Sequence, residues 1–408
     1  MTRTLFYTSQ AGANAAAASI MTRISEFAAD AGYSVDGSGY VTGVKLNGGA
    51  ASGTQKLTSW DAAIGSASSW TIRHPEVHPL RRLYSATYDK SFLSYVMQDL
   101  GAPTITGTTD VDQPTVPAVA GWTKYAGNPL LGDASNTFFD PWVIKDGSTY
   151  KMWVSYRTTN KIAYSTSTNG VAWSTPVNCL SQISASESNV KSPCVLKIGS
   201  TYHMWYVAQA LGNATQWVNY ATSSDGITWT RITDRCVDIV GATWESAAVG
   251  PPCVLWNGST YKMWYAGGTS TFEPDAIGYA TSTDGSVWTK NGSNPIFNIN
   301  SSCLWESQRV AVGSVVLVGG YYYLFYIGYR SNLGTINIAR SVDGISAWER
   351  HPDNPIVRID TNGGWDGTSI YKPCAFQDGL DWKLYYNGRV STPEAIGMVT
   401  KTGSSLQF

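Results

Sequence analysis

The sequence predicts an all-β protein: a five-bladed β-propeller with four-stranded blades over residues 122–408, preceded by a small α+β domain. Three observations predict it. From Trp122 onward the chain repeats five times; each repeat holds four short strand patterns; and the fifth repeat lacks a final strand that lies spare at the start of the repeating region. Composition agrees. Of 408 residues, 40 are Gly, 17 Trp and 24 Tyr, and only 14% are charged, so the chain is rich in turns and large rings and poor in salt bridges.

Residues 1–100 do not repeat. Ala16, Ile20, Ile24, Phe27 and Ala31 keep helical spacing, with Gly32 where a helix C-cap belongs. Ser34–Leu46 has Val35, Tyr40, Val41 and Val44 among glycines, which predicts short strands. A second helix is expected from Ser91 to Leu100, lined by Phe92, Val96 and Leu100 and stopped by Gly101 and Pro103. Residues 101–121 are rich in Pro, Thr and Gly and read as a linker. The first twenty residues lack the apolar run of a secretory signal.

One repeat opens with Pro-x-Val-Leu. It continues with Tyr-Lys-Met-Trp-Tyr, then Ile-x-Tyr-Ala-Thr-Ser, Asp-Gly and Trp; blade three shows it as Pro252 to Leu255, Tyr261 to Tyr265, Ile277 to Ser282, Asp284-Gly285 and Trp288. Alternation such as Tyr-Lys-Met-Trp-Tyr suits a strand with one buried face. Asp-Gly and Asn-Gly supply the positive-φ turn into the last strand. The tryptophan after that turn is expected in the core against the next sheet. Trp122 to Pro129 matches Trp288 to Pro295 and Trp348 to Pro355, so the N-terminal strand should complete blade five and close the ring.

The balance of 28 Lys+Arg against 29 Asp+Glu excludes the electrostatic footprint of a nucleic-acid partner, and no apolar run is long enough to insert into a membrane. No cofactor or metal is expected. All six Cys follow residue 170 without metal-ligand spacing, and Cys194, Cys253 and Cys374 share one repeat position, which predicts small buried thiols. His74-Pro-Glu-Val-His78 is a weak metal signal, because proline disfavours the helix that would bring both rings together.

Candidate chemistry falls where the repeat breaks. Aligning the residues before each first strand gives Phe139-Asp140-Pro141, Lys191-Ser192-Pro193, Gly250-Pro251-Pro252, Ala311-Val312-Gly313 and Tyr371-Lys372-Pro373. Asp140 is the only acid in this set, Lys191 and Lys372 are basic, and Arg309 lies one residue before Val310. Slightly upstream, Glu187-Ser188, Trp244-Glu245-Ser246, Trp305-Glu306-Ser307 and Trp365-Asp366-Gly367 form a second motif. Paired carboxylates are the tools of glycoside hydrolysis. Trp244, Trp305, Trp365 and Tyr371 would offer flat faces to sugar rings, with Glu306 and Asp366 among the binding candidates. The competing reading is that a motif present in four of five blades caps a turn or fixes blade contacts. The cations at the axis suggest a ligand carrying a carboxylate or sulfate.

The repeat over about 122–408 resembles the five-bladed propellers of the family-43 glycoside hydrolases and their relatives in the invertase and mannoside-phosphorylase groups. The resemblance implies that Asp140, before Pro141, stands at the base position. The family's second Asp-Pro falls at Ser192-Pro193 and its acid-bearing Glu-Gly-Pro at Val249-Gly250-Pro251, so both differ here. Glu245, four residues earlier, is then the candidate acid. The Asp-Gly-x-x-Trp strings are similar to the sialidase Asp-box and are assigned to a turn.

Three functions follow as expectations. The first is a phage tail fibre or spike protein, docked on other virion proteins through residues 1–100, acting outside the cell, whose propeller binds a host surface glycan, with its hydrolysis as an open option. The second is a free-standing glycoside hydrolase acting on plant or bacterial polysaccharide. The third is a non-catalytic structural virion protein.

Overall fold

The structure is a computed structural model. It describes residues 121–408 apart from 242–243, 272–273, 302, 331–332, 360–363, 391–392 and 407; before residue 121 it describes only eight short strands. The chain divides into two units, Met1–Gln113 and Pro114–Phe408, a boundary inside the Pro/Thr/Gly segment. In the first unit Thr4–Tyr7 pairs with Ser69–Arg73, which pairs with Asp61–Ser66, and Ser34–Val35 pairs with Tyr40–Thr42. Ser91 belongs to the strand Lys90–Ser91 rather than opening a helix. The remaining residues of both expected helices, and the His74–His78 stretch, lie outside the described residues.

The second unit contains three four-stranded antiparallel sheets and one eight-stranded sheet, in which two four-stranded antiparallel sets are joined by a single parallel bridge between Gln216 and Ala248, consistent with five blades. Their first strands are Phe138–Asp146, Glu187–Ile198, Ala248–Trp256, Arg309–Val318 and Ser369–Asp378. Their second strands are Thr149–Tyr156, Thr201–Ala210, Tyr261–Gly268, Tyr321–Arg330 and Asp381–Arg389. Trp122–Lys124 supplies the outer strand of blade five, with Val399 opposite Lys124 and Lys401 opposite Trp122. The closure repeats a device used elsewhere. The Asn128 side chain exchanges two hydrogen bonds with the Met398 backbone, just as Asn294 does with Tyr279 and Asn354 with Ile338. Each asparagine extends a short strand by mimicking a peptide unit, which explains why the matching Trp-to-Pro segments were recognisable.

The blades are stitched by groups at fixed repeat positions. In the second strands, Trp153, Trp205 and Trp264 are fully buried and donate from Nε1 to Gly226, Gly285 and Gly344, each the turn glycine of the following blade. Tyr385 does the same to Gly170 across the closing seam. Blade four has Phe325 at this position; it has no donor, and Trp122 packs edge-on against it at 5.8 Å. Nearer the axis, Cys194, Cys253 and Cys374 are buried free thiols that accept a backbone N–H from Val254, Val315 and Val143 of the next blade. A thiol here satisfies a backbone donor without widening the seam. The tryptophans after the turns differ from expectation. Trp229, Trp288 and Trp173 are half-buried and lie against the preceding blade, edge-on to Trp153, Trp205 and Tyr385. The preceding blade presents its ring there because that ring has already reached across to the turn glycine.

Candidate functional site

Every first strand carries a bulge just before its apolar run, between Phe139 and Trp142, Lys191 and Cys194, Val249 and Pro252, Val312 and Ser314, and Tyr371 and Cys374. Proline fits there because the ladder is already interrupted. Below the bulges Pro141, Pro193, Pro252, Gly313 and Pro373 crowd the axis and leave a void of only 10 Å³. A Cβ on Gly313 would stand 2.3 Å from the Pro373 ring, so glycine is required to seal this floor. Above it opens a cavity of 370 Å³ lined in part by Asp140, Arg157, Lys191, Lys372, Arg389 and Glu394. Its size lies within the ~300–1,000 Å³ of ligand pockets.

Asp140, Ser192 and Lys372 occupy equivalent bulge positions and all adopt left-handed backbone, with φ of 53°, 52° and 55°. Such conformations cost non-glycine residues free energy and cluster at functional sites. Asp140 is 7% exposed, and its Oδ2 accepts from the Ser192 hydroxyl at 2.5 Å. The strained bulges are held by side chains of neighbouring second strands: Asn387 accepts from the Asp140 N–H at 3.2 Å, and Ser155 accepts from the Ser192 N–H at 2.8 Å.

Among the described residues, four cations and two carboxylates line this cavity. Glu394, 1% exposed, is clamped: Arg157 donates to it from Nε and Nη2 at 3.0 and 2.7 Å, Arg389 lies 3.7 Å away, and the Tyr371 hydroxyl donates to its other oxygen. Burial and the charge of Glu394 push the Tyr371 phenol well above its ordinary value. The lysines are held differently. Lys191 donates to Gln209 at 3.2 Å and Lys372 to the Val312 carbonyl at 3.4 Å, and among the described residues neither has a carboxylate within ion-pair distance. Burial pushes both ammonium groups down to about 8, against the pull of the nearby Asp140 charge.

Of the residues singled out by sequence, the structure brings Asp140, Lys191, Tyr371 and Lys372 together. Glu245, Glu306, Asp366, Trp244, Trp305, Trp365 and Arg309 do not line the cavity. The reason is a stitch repeated in blades two to five. Glu245 pairs with Lys290 at 2.8 Å, Glu306 with Arg350 at 2.5 Å and Tyr326 at 2.5 Å, and Asp366 with Lys124 at 2.6 Å and Tyr386 at 2.8 Å. Glu187 lies 3.8 Å from Arg231 and accepts from Asn219. Glu306 and Asp366 each tie the segment before a first strand to the second and fourth strands of the same blade, Glu245 ties it to the fourth, and Glu187, the first residue of its own first strand, reaches the third and fourth. Trp244 and Trp365 pack on Tyr265 and Tyr386 within this stitch, leaving them half-buried. Arg309 faces Asp275 at 4.0 Å. The expected acid role of Glu245 therefore finds no geometric support, since Lys290 holds its carboxylate away from the cavity. The Asp-Gly turns are turns: Asp225, for example, accepts from the N–H groups of Ile227 and Thr228.

Arg157, Gln209, Arg389 and Glu394 were not singled out by sequence. The first three share one repeat position, four residues beyond the second-strand aromatic, where Gly268 and Tyr329 stand in the other blades. The same search for broken columns, applied to second strands, finds them. Glu394 stands directly before the third strand of blade five, in Pro393-Glu394-Ala395-Ile396-Gly397, and matches Asp275 in Pro274-Asp275-Ala276-Ile277-Gly278 of blade three.

No family model matches the chain. Two uncharacterized proteins of Mycobacterium tuberculosis are 31% and 30% identical to it over 138 residues, which is 31% of this chain and 45% of each relative. The chain thus matches less than half the length of these curated relatives. Among solved structures, a glycoside hydrolase superposes with TM-score 0.56 at 18% identity, covering 67% of this chain and 90% of the other. A thermostable family-43 glycoside hydrolase gives 0.53 at 17% identity, with coverage of 67% and 90%. The β-1,2-mannobiose phosphorylase of Listeria innocua, solved in complex with β-1,2-mannobiose, gives 0.54 at 14% identity, with coverage of 69% and 96%. The propeller has the fold of family-43 glycoside hydrolases and related propeller enzymes.

Proposed function

We propose that this protein acts on carbohydrate, engaging a glycan in the axial cavity through Asp140. The carrying observation is Asp140 itself: a buried carboxylate on strained backbone, fixed by Ser192 and Asn387 and facing a cavity of ligand size. Its position matches the base of the resembling family. A carboxylate so fixed accepts hydrogen bonds from sugar hydroxyls without having to reorganise. The fold neighbours, one of them in complex with a disaccharide, support the substrate class.

Glycan recognition is the primary reading, because paired-carboxylate hydrolysis needs a protonated acid besides the base. The other carboxylate among the described residues of the cavity, Glu394, is already engaged by Arg157, Arg389 and the Tyr371 hydroxyl. Hydrolysis with Asp140 taking a proton from the attacking water is the second reading, favoured by the matched position. Glycan-array binding together with reducing-sugar release separates them. Wild type should bind and Asp140→Asn should bind at least tenfold more weakly; release of reducing ends by wild type but not by Asp140→Asn would promote the second reading. Equal glycan binding by wild type and Asp140→Asn would remove Asp140 from the account. Attachment to a virion through residues 1–100, with action outside the cell, is a separate part of the proposal, supported by the two-unit layout. Mass spectrometry of purified phage particles tests it.

A further inference from the structure

We infer that the glycan taken by this cavity is acidic, and that Lys191 and Lys372 together seat its carboxylate or sulfate group beside Asp140. The inference rests on the reading of the cavity as a glycan site and adds its substrate class.

The first support is charge. The cavity presents Arg157, Lys191, Lys372 and Arg389 against Asp140 and Glu394, although the whole chain carries a net charge of -1. The described lining therefore holds more cations than carboxylates, in a chain whose charges otherwise nearly balance. The change is built into the bulges: blades two and five contribute Lys191 and Lys372, where the same positions of blades three and four carry Gly250, Ala311, Pro251 and Val312.

The second support is the lack of partners. Lys124, Arg231, Lys290 and Arg350 each meet a buried carboxylate in the blade stitches. Among the described residues, Lys191 and Lys372 meet one neutral oxygen apiece, at 3.2 and 3.4 Å. Among the described residues that line the cavity, Asp140 is the one carboxylate not already claimed by a guanidinium, and it is engaged by Ser192. Two half-buried ammonium groups sharing one carboxylate leave a positive charge uncompensated, which is costly in a poorly solvated site unless a ligand supplies the anion. Lys372 is also held on left-handed backbone immediately before Pro373, a conformation that packing alone would not select for lysine.

The test is a glycan array of matched pairs: oligouronates beside the same oligomers with carboxyls reduced, and sulfated oligosaccharides beside their desulfated forms. The full chain is read at low and high salt. The acidic member of a pair should bind at least tenfold more tightly, and salt should shrink the gap. Which pair shows the gap identifies carboxylate or sulfate as the source. Lys191→Met and Lys372→Met should each close most of the gap without lowering the melting temperature. Should a variant not fold, protection of Lys191 and Lys372 from acetylation by the bound acidic glycan, read by mass spectrometry on wild type, replaces it. Equal binding of neutral partners, or a gap that survives both variants, overturns the inference and leaves the glycan proposal standing. No binding anywhere on the array overturns both.

Discussion

The blade stitches and the axial cavity are made from the same repeat, yet they treat charge in opposite ways. In the stitches a buried carboxylate, Glu245, Glu306 or Asp366, meets a cation from the fourth strand at 2.5–2.8 Å, and the arrangement recurs around the ring. Blade one lacks it, and has Val154 where Tyr206, Tyr265, Tyr326 and Tyr386 stand in the others. In the cavity the charges do not recur. Asp140, Lys191 and Lys372 occupy blades one, two and five on bulges that carry neutral residues in blades three and four. Repetition with internal pairing marks scaffold; departure from repetition without pairing marks a site waiting for something from outside.

The largest expected effect breaks a stitch. Glu306→Gln removes the buried charge that balances the Arg350 guanidinium and leaves one acceptor oxygen where Arg350 and the Tyr326 hydroxyl use two, and should cost about 3 kcal/mol in urea unfolding. Glycan binding by the folded fraction should be unchanged. Loss of binding with full stability would instead place Glu306 in the site.

The smaller effect expected of the cavity lysines has the opposite sign. Lys191→Met or Lys372→Met should raise stability at pH 7 by on the order of 1–2 kcal/mol, since each removes an uncompensated ammonium. The pH profile sharpens this. Each lysine titrates at about 8 when folded and near 10.5 when unfolded, so the unfolded chain holds more protons in between. The penalty is fully present below pH 8 and is relieved as pH rises from about 8 toward 10.5. Tyr371, which faces the same cavity, titrates above its usual range. The stability difference between wild type and either variant should therefore narrow with rising pH; a constant difference would mean that the lysines are not strained as charges.

The smallest effect concerns a seam. Tyr385→Phe keeps the ring and removes one hydroxyl bond to Gly170, so it should cost about 1 kcal/mol, measurable as a shift in the urea midpoint. Phe325 shows that a seam tolerates a ring without a donor. A much larger loss would show that ring closure depends on this one bond.

The scaffold was legible in the sequence because it is periodic. The Trp122 strand, the cysteine column and the Asp-Gly turns all follow from local patterns that recur every blade. Asp140, Lys191 and Lys372 were legible as breaks in one column. The stitches misled because a recurring Trp-Glu-Ser looks like chemistry until its partner is seen. Lys290 and Arg350 lie about 45 residues downstream of their acids, and Lys124 precedes Asp366 by more than 200. Such pairings are set by ring topology and not by spacing. Glu394 was hidden for a related reason: only the fold shows that its loop meets Arg157, which comes from a different blade.

A crystal structure of the full chain soaked with an acidic oligosaccharide from the array tests the central claim most directly. The account predicts a sugar seated in the axial cavity, a hydroxyl within hydrogen-bond distance of Asp140 and its anionic group between Lys191 and Lys372. A sugar stacked instead on Trp244, Trp305 or Trp365, with nothing in the cavity, would contradict it.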